Sequence, residues 1–85
     1  MTQPQSFAEL TIRGIIVPTA WDDNDNVSAV SLSGVDEEDY VVENWRTFVG
    51  LSQTLIDATG FVCREPGTRG RIRINRYDVV DVLRK

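Results

Sequence analysis

The chain has no histidine and only one cysteine, Cys63, among its 85 residues. A Ser-His-Asp triad or a Cys-His pair needs an imidazole as its base, so both arrangements are excluded. A structural zinc site needs four cysteine or histidine ligands, and one cysteine cannot close an internal disulfide. We therefore expect a non-enzymatic, cytoplasmic protein without metal or cofactor, in which Cys63 is a small buried apolar residue.

Long apolar runs are also missing, so we expect no transmembrane helix. The first six residues lack the basic and apolar segments of a secretory signal, and we interpret residues 1–6 as a flexible tail. Residues 7–85 have the length of one small domain. A deep catalytic cleft is hard to build at this size, which favours a binding module.

Apolar and polar residues alternate with a period of two in several segments, which predicts β-strands. Within the first of these strands, Gly14 indicates a bulge or bend at which the strand changes its inward face. An Asp- and Asn-rich turn follows Trp21. The predicted strands are residues 7–18, 27–33, 40–42, 61–64 and 71–77, and the apolar pattern of the last one continues to Leu83.

The period changes between the third and fourth strands. Apolar side chains from Trp45 to Ile56 follow the i, i+3, i+4, i+7 spacing of an amphipathic helix. Asn44 or Thr47 could cap its start, and Thr59-Gly60 predicts its end. We expect a helix of about three turns that closes one end of the sheet.

This order of strands and helix resembles the OB-fold, the oligonucleotide- and oligosaccharide-binding fold of small bacterial domains. The residues that carry the resemblance are Gly14, Trp21-Asp22, Val30-Ser31-Leu32, Tyr40-Val41-Val42, Leu51, Leu55, Gly60, Val62, Gly70, Ile72, Ile74 and Tyr77. The resemblance implies an all-β protein with one short helix, a five-stranded Greek-key barrel of order β-β-β-α-β-β. It also implies a ligand face on strands two and three (Ala29, Ser31, Val41 and Glu43), between loops 22–26 and 65–70.

Charge is divided unevenly along the chain. Residues 1–59 carry ten acids and two arginines, whereas residues 60–85 carry seven basic residues and three acids, for a total of −4. The basic segment is either an anion-binding ridge or a set of arginines that pair with the acidic half or face solvent. The candidate residues on this segment are Arg64, Arg69, Arg71 and Arg73.

Trp21 and Tyr40 complete the candidate site, because an aromatic ring beside arginines is a contact surface for proteins and for unpaired bases. The alternative, which we favour for these rings, is packing in the core or at the rim of the barrel. Our preferred hypothesis is a non-catalytic binding module that contacts another protein or a second copy of itself. The alternative hypothesis is a single-stranded nucleic acid binder that uses the Arg-rich last hairpin, although the net negative charge disfavours it. Membrane association is not expected.

Overall fold

Five strands and one short 3-10 helix make up the fold in a computed structural model, which describes residues 6–64, 67 and 69–82. Residues 1–5, 65, 66, 68 and 83–85, which include most of the predicted tail and Leu83, lie outside the described residues. The elements are β1 (Ser6–Trp21), β2 (Val27–Gly34), β3 (Asp39–Val42), the 3-10 helix η1 (Trp45–Leu51), β4 (Thr54–Arg64) and β5 (Gly70–Val82).

The strands form one closed ring in the order β1-β2-β3-β5-β4. The pairs β1–β2, β2–β3, β4–β5 and β1–β4 are antiparallel, and the parallel pair β3–β5 completes the ring. The predicted mainly-β class, the element order and the closure of five strands are confirmed. Closure leaves β1 with two hydrogen-bonded neighbours, so it is not an exposed edge.

Gly14 lies where β1 passes from one neighbour to the other. Its Cα is opposite Gly34 of β2 and also opposite Ile56 of β4. A Cβ atom at Gly14 would lie 2.6 Å from the carbonyl oxygen of Ser33, so a glycine permits the close approach of β2. The predicted change of inward face is wrong, because Ile12 and Ile16 on either side of Gly14 are both buried. The irregularity in β1 lies later, between Pro18 and Trp21.

The predicted three-turn helix is wrong in type and length. It is a seven-residue 3-10 helix, and a turn through Gln53, with a positive φ of 63°, separates it from β4. Leu55 and Ile56 belong to β4, where every second residue is buried from Thr54 onward. The described residues contain no helix with the length and apolar character that a membrane crossing requires.

The fourth strand is longer than predicted because it pairs on both sides, with β1 and with β5. Thr59-Gly60, which we expected to end a helix, lies inside this strand. A Cβ atom at Gly60 would overlap the backbone carbonyl of Arg73, so β5 can approach β4 here only because the residue is glycine. Two register shifts in the β4–β5 pair, one of them between Thr59 and Gly60, allow the long hairpin to curve.

One hydrophobic core fills the interior of the ring. Every strand contributes buried side chains, and η1 contributes Phe48, its one buried residue. The core consists of Ile12, Ile16, Val30, Leu32, Tyr40, Val42, Phe48, Ile56, Ala58, Val62, Ile72 and Ile74. Because apolar side chains fill the interior, we looked for a binding site on the outer surface and at the margins of the ring.

Candidate interaction surfaces

Tyr40 and Arg64, two of the predicted contact residues, bind each other. The Tyr40 hydroxyl accepts a hydrogen bond of 2.7 Å from Arg64 Nη2 and donates one of 3.1 Å to Asp36 Oδ2. The guanidinium of Arg64 lies 5.5 Å from the centre of the Tyr40 ring. Burial, and then the hydrogen bond to Asp36, raise the pKa of Tyr40.

These contacts change the interpretation of both residues. Tyr40 is 1% exposed, so its ring lies in the core and cannot serve as a stacking surface. Arg64 connects the end of β4 to the acidic loop between β2 and β3 through this hydroxyl. For Arg64, the structure therefore favours the interpretation in which an arginine of the basic segment pairs within the chain.

The remaining arginines lie on the outside of the ring. Ile72 and Ile74 face inward and are buried, whereas Arg71 and Arg73 are exposed on the opposite face of β5, as the alternation predicts. Arg69 is exposed just before the strand. The Nε atom of Arg71 is 3.9 Å from Oε2 of Glu43, which is a loose ion pair at the surface.

Sequence analysis missed Phe61. Its side chain is 48% exposed, and its backbone lies directly between Glu9 of β1 and Arg73 of β5. The prediction began the fourth strand at Phe61 and assigned no inward or outward face to its residues. The period of two through Ile56, Ala58 and Val62 would have placed Phe61 outside, had the whole strand been identified.

Trp21 is exposed but lies on the β1–β2 hairpin, whereas the candidate arginines lie on β4, on β5 and just before β5. It is 57% exposed at the end of β1, where it pairs with Val27. The turn after it is held by the Asp22 carboxylate, which accepts hydrogen bonds from the backbone N–H groups of Asn24 and Asn26. These bonds lower the pKa of Asp22. Within the described residues, no three cysteine or acidic side chains are placed to hold a metal ion.

The ligand face that the resemblance implies is poorly equipped for recognition. Ser31 is buried, and Val41 is only at the margin of exposure with 36%. Glu43 is engaged with Arg71. This face of β2 and β3 therefore offers small or engaged side chains in place of an open aromatic platform.

A more open apolar surface lies at the end of β5. We call residues 76–82 the β5 arm. Its apolar side chains are widely exposed: Tyr77 40%, Val79 50%, Val80 41% and Val82 53%. One edge of the arm pairs with β4 from Thr54 to Thr59. Sequence analysis found its apolar pattern but gave it no role in contact.

The other edge of the arm has no strand partner within the described part of the chain. β3 pairs with β5 only at residues 70–72. The Asn44 side chain continues this pairing by one step, because its amide donates to the Ile74 carbonyl at 2.7 Å and accepts from the Ile74 N–H at 3.0 Å. After Asn44 the chain that follows β3 enters η1, so it does not continue beside the residues of β5 beyond Ile74.

The two faces of the β5 arm differ in chemistry. Tyr77, Val79 and Val82 lie opposite buried residues of β4, and the Tyr77 ring meets Phe48 edge-on at 5.2 Å. Asp78 and Asp81 lie on the other face, where Asp78 is opposite Asp57. Arg13 already pairs with Asp57 through two bonds, Nε–Oδ1 at 2.8 Å and Nη2–Oδ2 at 3.0 Å, and this lowers the pKa of Asp57.

Comparison with known proteins yields no relative. No protein-family model matches the chain. No curated protein and no solved structure is significantly similar to it either.

Proposed function

We propose that this chain is a small OB-like binding module that acts by contacting another protein chain, and that the β5 arm is its contact surface. The observation that carries the proposal is the coincidence, on the same seven residues, of four exposed apolar side chains with a strand edge that no other described strand pairs with. Apolar surface and free backbone groups together are typical of an interaction site.

The connectivity supports the OB-like assignment. A first strand shared by two neighbours, a helix between strands three and four, and a parallel β3–β5 pair that closes the ring are what this resemblance implies. A fold alone names no ligand, so the proposal of a protein partner depends on the arm. The absence of histidine and the single buried cysteine support a non-catalytic role and a cytoplasmic location.

The test replaces apolar side chains of the arm. The double variant Val79→Lys/Val82→Lys places charge on its apolar face, and Val35→Lys is the matched control, because Val35 is 66% exposed in the β2–β3 loop. We expect affinity capture, and sedimentation velocity of the chain mixed with its captured partner, to show protein association by the wild type and the control, and its loss in the double variant. A monomer at low and high salt, with identical capture by all three proteins, would contradict the proposal.

A second candidate function, single-stranded nucleic acid binding, is favoured by Phe61. This exposed ring lies opposite Arg73 on the same outer face that carries Arg71. A stacking ring beside cations is the usual platform for unpaired bases. The net charge of −4 opposes a polyanion, so we rank this function second.

Fluorescence anisotropy with labelled oligo-dT at low salt tests this candidate. Loss of one stacking contact costs about 1–3 kcal/mol, so Phe61→Ala is expected to weaken binding about fivefold or more. Trp21→Ala is the control, because Trp21 is also widely exposed but lies on the β1–β2 hairpin. No anisotropy change at high micromolar protein concentration would eliminate nucleic acid binding.

A further inference from the structure

We propose that the β5 arm binds its partner by strand addition, and that the partner is an extended segment with apolar residues on one face and lysine or arginine on the other. The proposal rests on the proposed function and deepens it, since it names the mode of contact and the chemistry of the partner. It is argued from the backbone edge, the apolar face and the charges of residues 76–82.

The backbone edge supplies the template. In an antiparallel pair, the N–H and C=O groups of a strand point alternately toward its partner and away from it. On β5 the outward groups are used by β3 up to Ile72 and by the Asn44 side chain at Ile74. Past that point no described strand covers the edge, and such an edge can accept an added strand.

The apolar face of the arm is incomplete in the isolated chain. Ile56 and Ala58 of β4 are fully buried, and Thr54 is 4% exposed. Their cross-strand neighbours on the arm, Val79, Tyr77 and Val82, remain 40% to 53% exposed. The side chains of an added strand would lie next to these three side chains and would cover part of their exposed apolar surface.

The charges select the kind of partner. Asp78 and Asp81 lie on the opposite face of the arm, and Asp78 is next to Asp57, whose charge Arg13 already neutralises. Within the described residues, neither Asp78 nor Asp81 has a salt bridge. A strand with lysine or arginine on this face would supply the missing opposite charge.

The same charges disfavour a second copy of this chain. A symmetric pair of β5 arms would bring two Asp78 and two Asp81 carboxylates onto one face of a two-stranded interface, where the two Arg76 guanidiniums of the same face neutralise only half of them. Like charges on neighbouring strands destabilise the pair, and the chain as a whole already carries −4.

The experiment uses the full chain and three labelled synthetic peptides. The first alternates valine with arginine, the second alternates valine with glutamate, and the third repeats the first with N-methyl groups on alternate backbone nitrogens. Methylation removes the hydrogen bonds of one edge and leaves the side chains in place. We expect fluorescence anisotropy to show saturable binding of the first peptide, and binding at least tenfold weaker for the other two.

Charge variants identify the site on the protein. Asp78→Asn/Asp81→Asn is expected to weaken binding of the first peptide about fivefold, because it removes two exposed ion pairs and each of them contributes only weakly. Asp23→Asn/Asp25→Asn removes the same charge from the β1–β2 turn, and Asn tolerates the positive φ of residue 25. We expect this matched control to bind like the wild type, and both variants to show the wild-type melting temperature within a few degrees.

The outcomes separate this inference from the proposed function. Equal binding of the methylated peptide, or equal weakening by both pairs of substitutions, would overturn strand addition by a basic segment. So would a dimer that dissociates in Val79→Lys/Val82→Lys, since the partner would then be a second copy. In these cases the arm remains a protein contact if that variant still loses protein association. If the variant loses nothing, the proposed function fails as well.

Discussion

Tyr40 shows how one residue can be both a core side chain and a polar junction. Its aromatic ring is buried in the core, while its hydroxyl lies at the margin of the closed sheet and joins Asp36 to Arg64. A buried hydroxyl without partners would be unfavourable, so the two hydrogen bonds are a condition of its burial. They also hold the β2–β3 loop against the end of β4.

The raised pKa of Tyr40 predicts a loss of stability in alkali. The folded state holds this proton more tightly than the unfolded state, whose tyrosine pKa is about 10. The contribution is therefore complete below about pH 10 and is lost as the pH rises through the folded value. We expect Tyr40→Phe to lower the free energy of unfolding by about 1 kcal/mol at neutral pH. The difference from wild type should shrink as the solution becomes more alkaline.

Urea unfolding at a series of pH values between neutrality and strong alkali measures this difference. Tyr77→Phe is the control, because it removes the other tyrosine hydroxyl and keeps the ring that meets Phe48. A wild-type advantage over Tyr40→Phe that stays constant through alkaline pH would refute the assignment to Tyr40 ionisation.

At the scale of elements, η1 is the segment whose form depends most on its surroundings. Its start has no side-chain cap, and neither of its ends carries a charged residue of the favourable sign. A short 3-10 helix of this kind has little stability of its own. Phe48, buried in the core and in contact with Tyr77, is what holds it in place.

Removal of this anchor is expected to be costly. Phe48→Ala should lower the free energy of unfolding by about 3–5 kcal/mol, the usual cost of deleting a buried aromatic ring. Gly50→Ala is the matched control in the same helix, because nothing lies within 4 Å of the added Cβ and its φ is not positive. We expect the control to be neutral or stabilising by about 0.5 kcal/mol. Chemical denaturation followed by tryptophan fluorescence gives both values, and a loss below about 1 kcal/mol for Phe48→Ala would show that η1 is not anchored by this ring.

For the whole molecule, closure of the ring depends on a small contact. β3 meets β5 in parallel at only three residue pairs. The antiparallel pair β2–β3 is equally short, and the other three antiparallel pairs are longer. Asn44 lengthens the β3–β5 seam because its amide bonds to both backbone groups of Ile74 in place of another strand residue. This side chain therefore links the chain after β3 to β5 and extends the contact that closes the ring.

Asn44→Ala tests the link. It leaves the N–H and the C=O of Ile74 without their partner in a half-buried place, so we expect a loss of about 1–3 kcal/mol in the free energy of unfolding. Asn24→Ala, in the exposed turn after β1, should change stability by less than about 0.5 kcal/mol. Equal effects of the two substitutions in urea titrations would mean that the seam does not depend on Asn44.

Much of this architecture could be predicted from local pattern. The alternation in Val30 to Leu32 and in Arg71 to Ile74 predicts both the strands and their buried faces, because one side of each strand must enter the core. The segment from Trp45 to Ile56 misled the prediction. Its apolar spacing fits a helix, but its second half satisfies a period of two and pairs with two other strands. Pairing partners far away in sequence decided between the two patterns.

The candidate site was less predictable, because exposure and pairing are properties of the closed ring. The sequence by itself determined the order of the strands and the helix along the chain, the inward face of the regularly alternating segments and the exclusion of imidazole chemistry, since these follow from residue type and spacing alone. Only the tertiary structure decided that Tyr40 and Arg64 bind each other, that Phe61 faces outward and that, among residues 6–64, 67 and 69–82, no strand pairs with the second edge of the β5 arm. The reason is physical: a backbone edge is free, or a side chain exposed, only with respect to where the rest of the chain has gone.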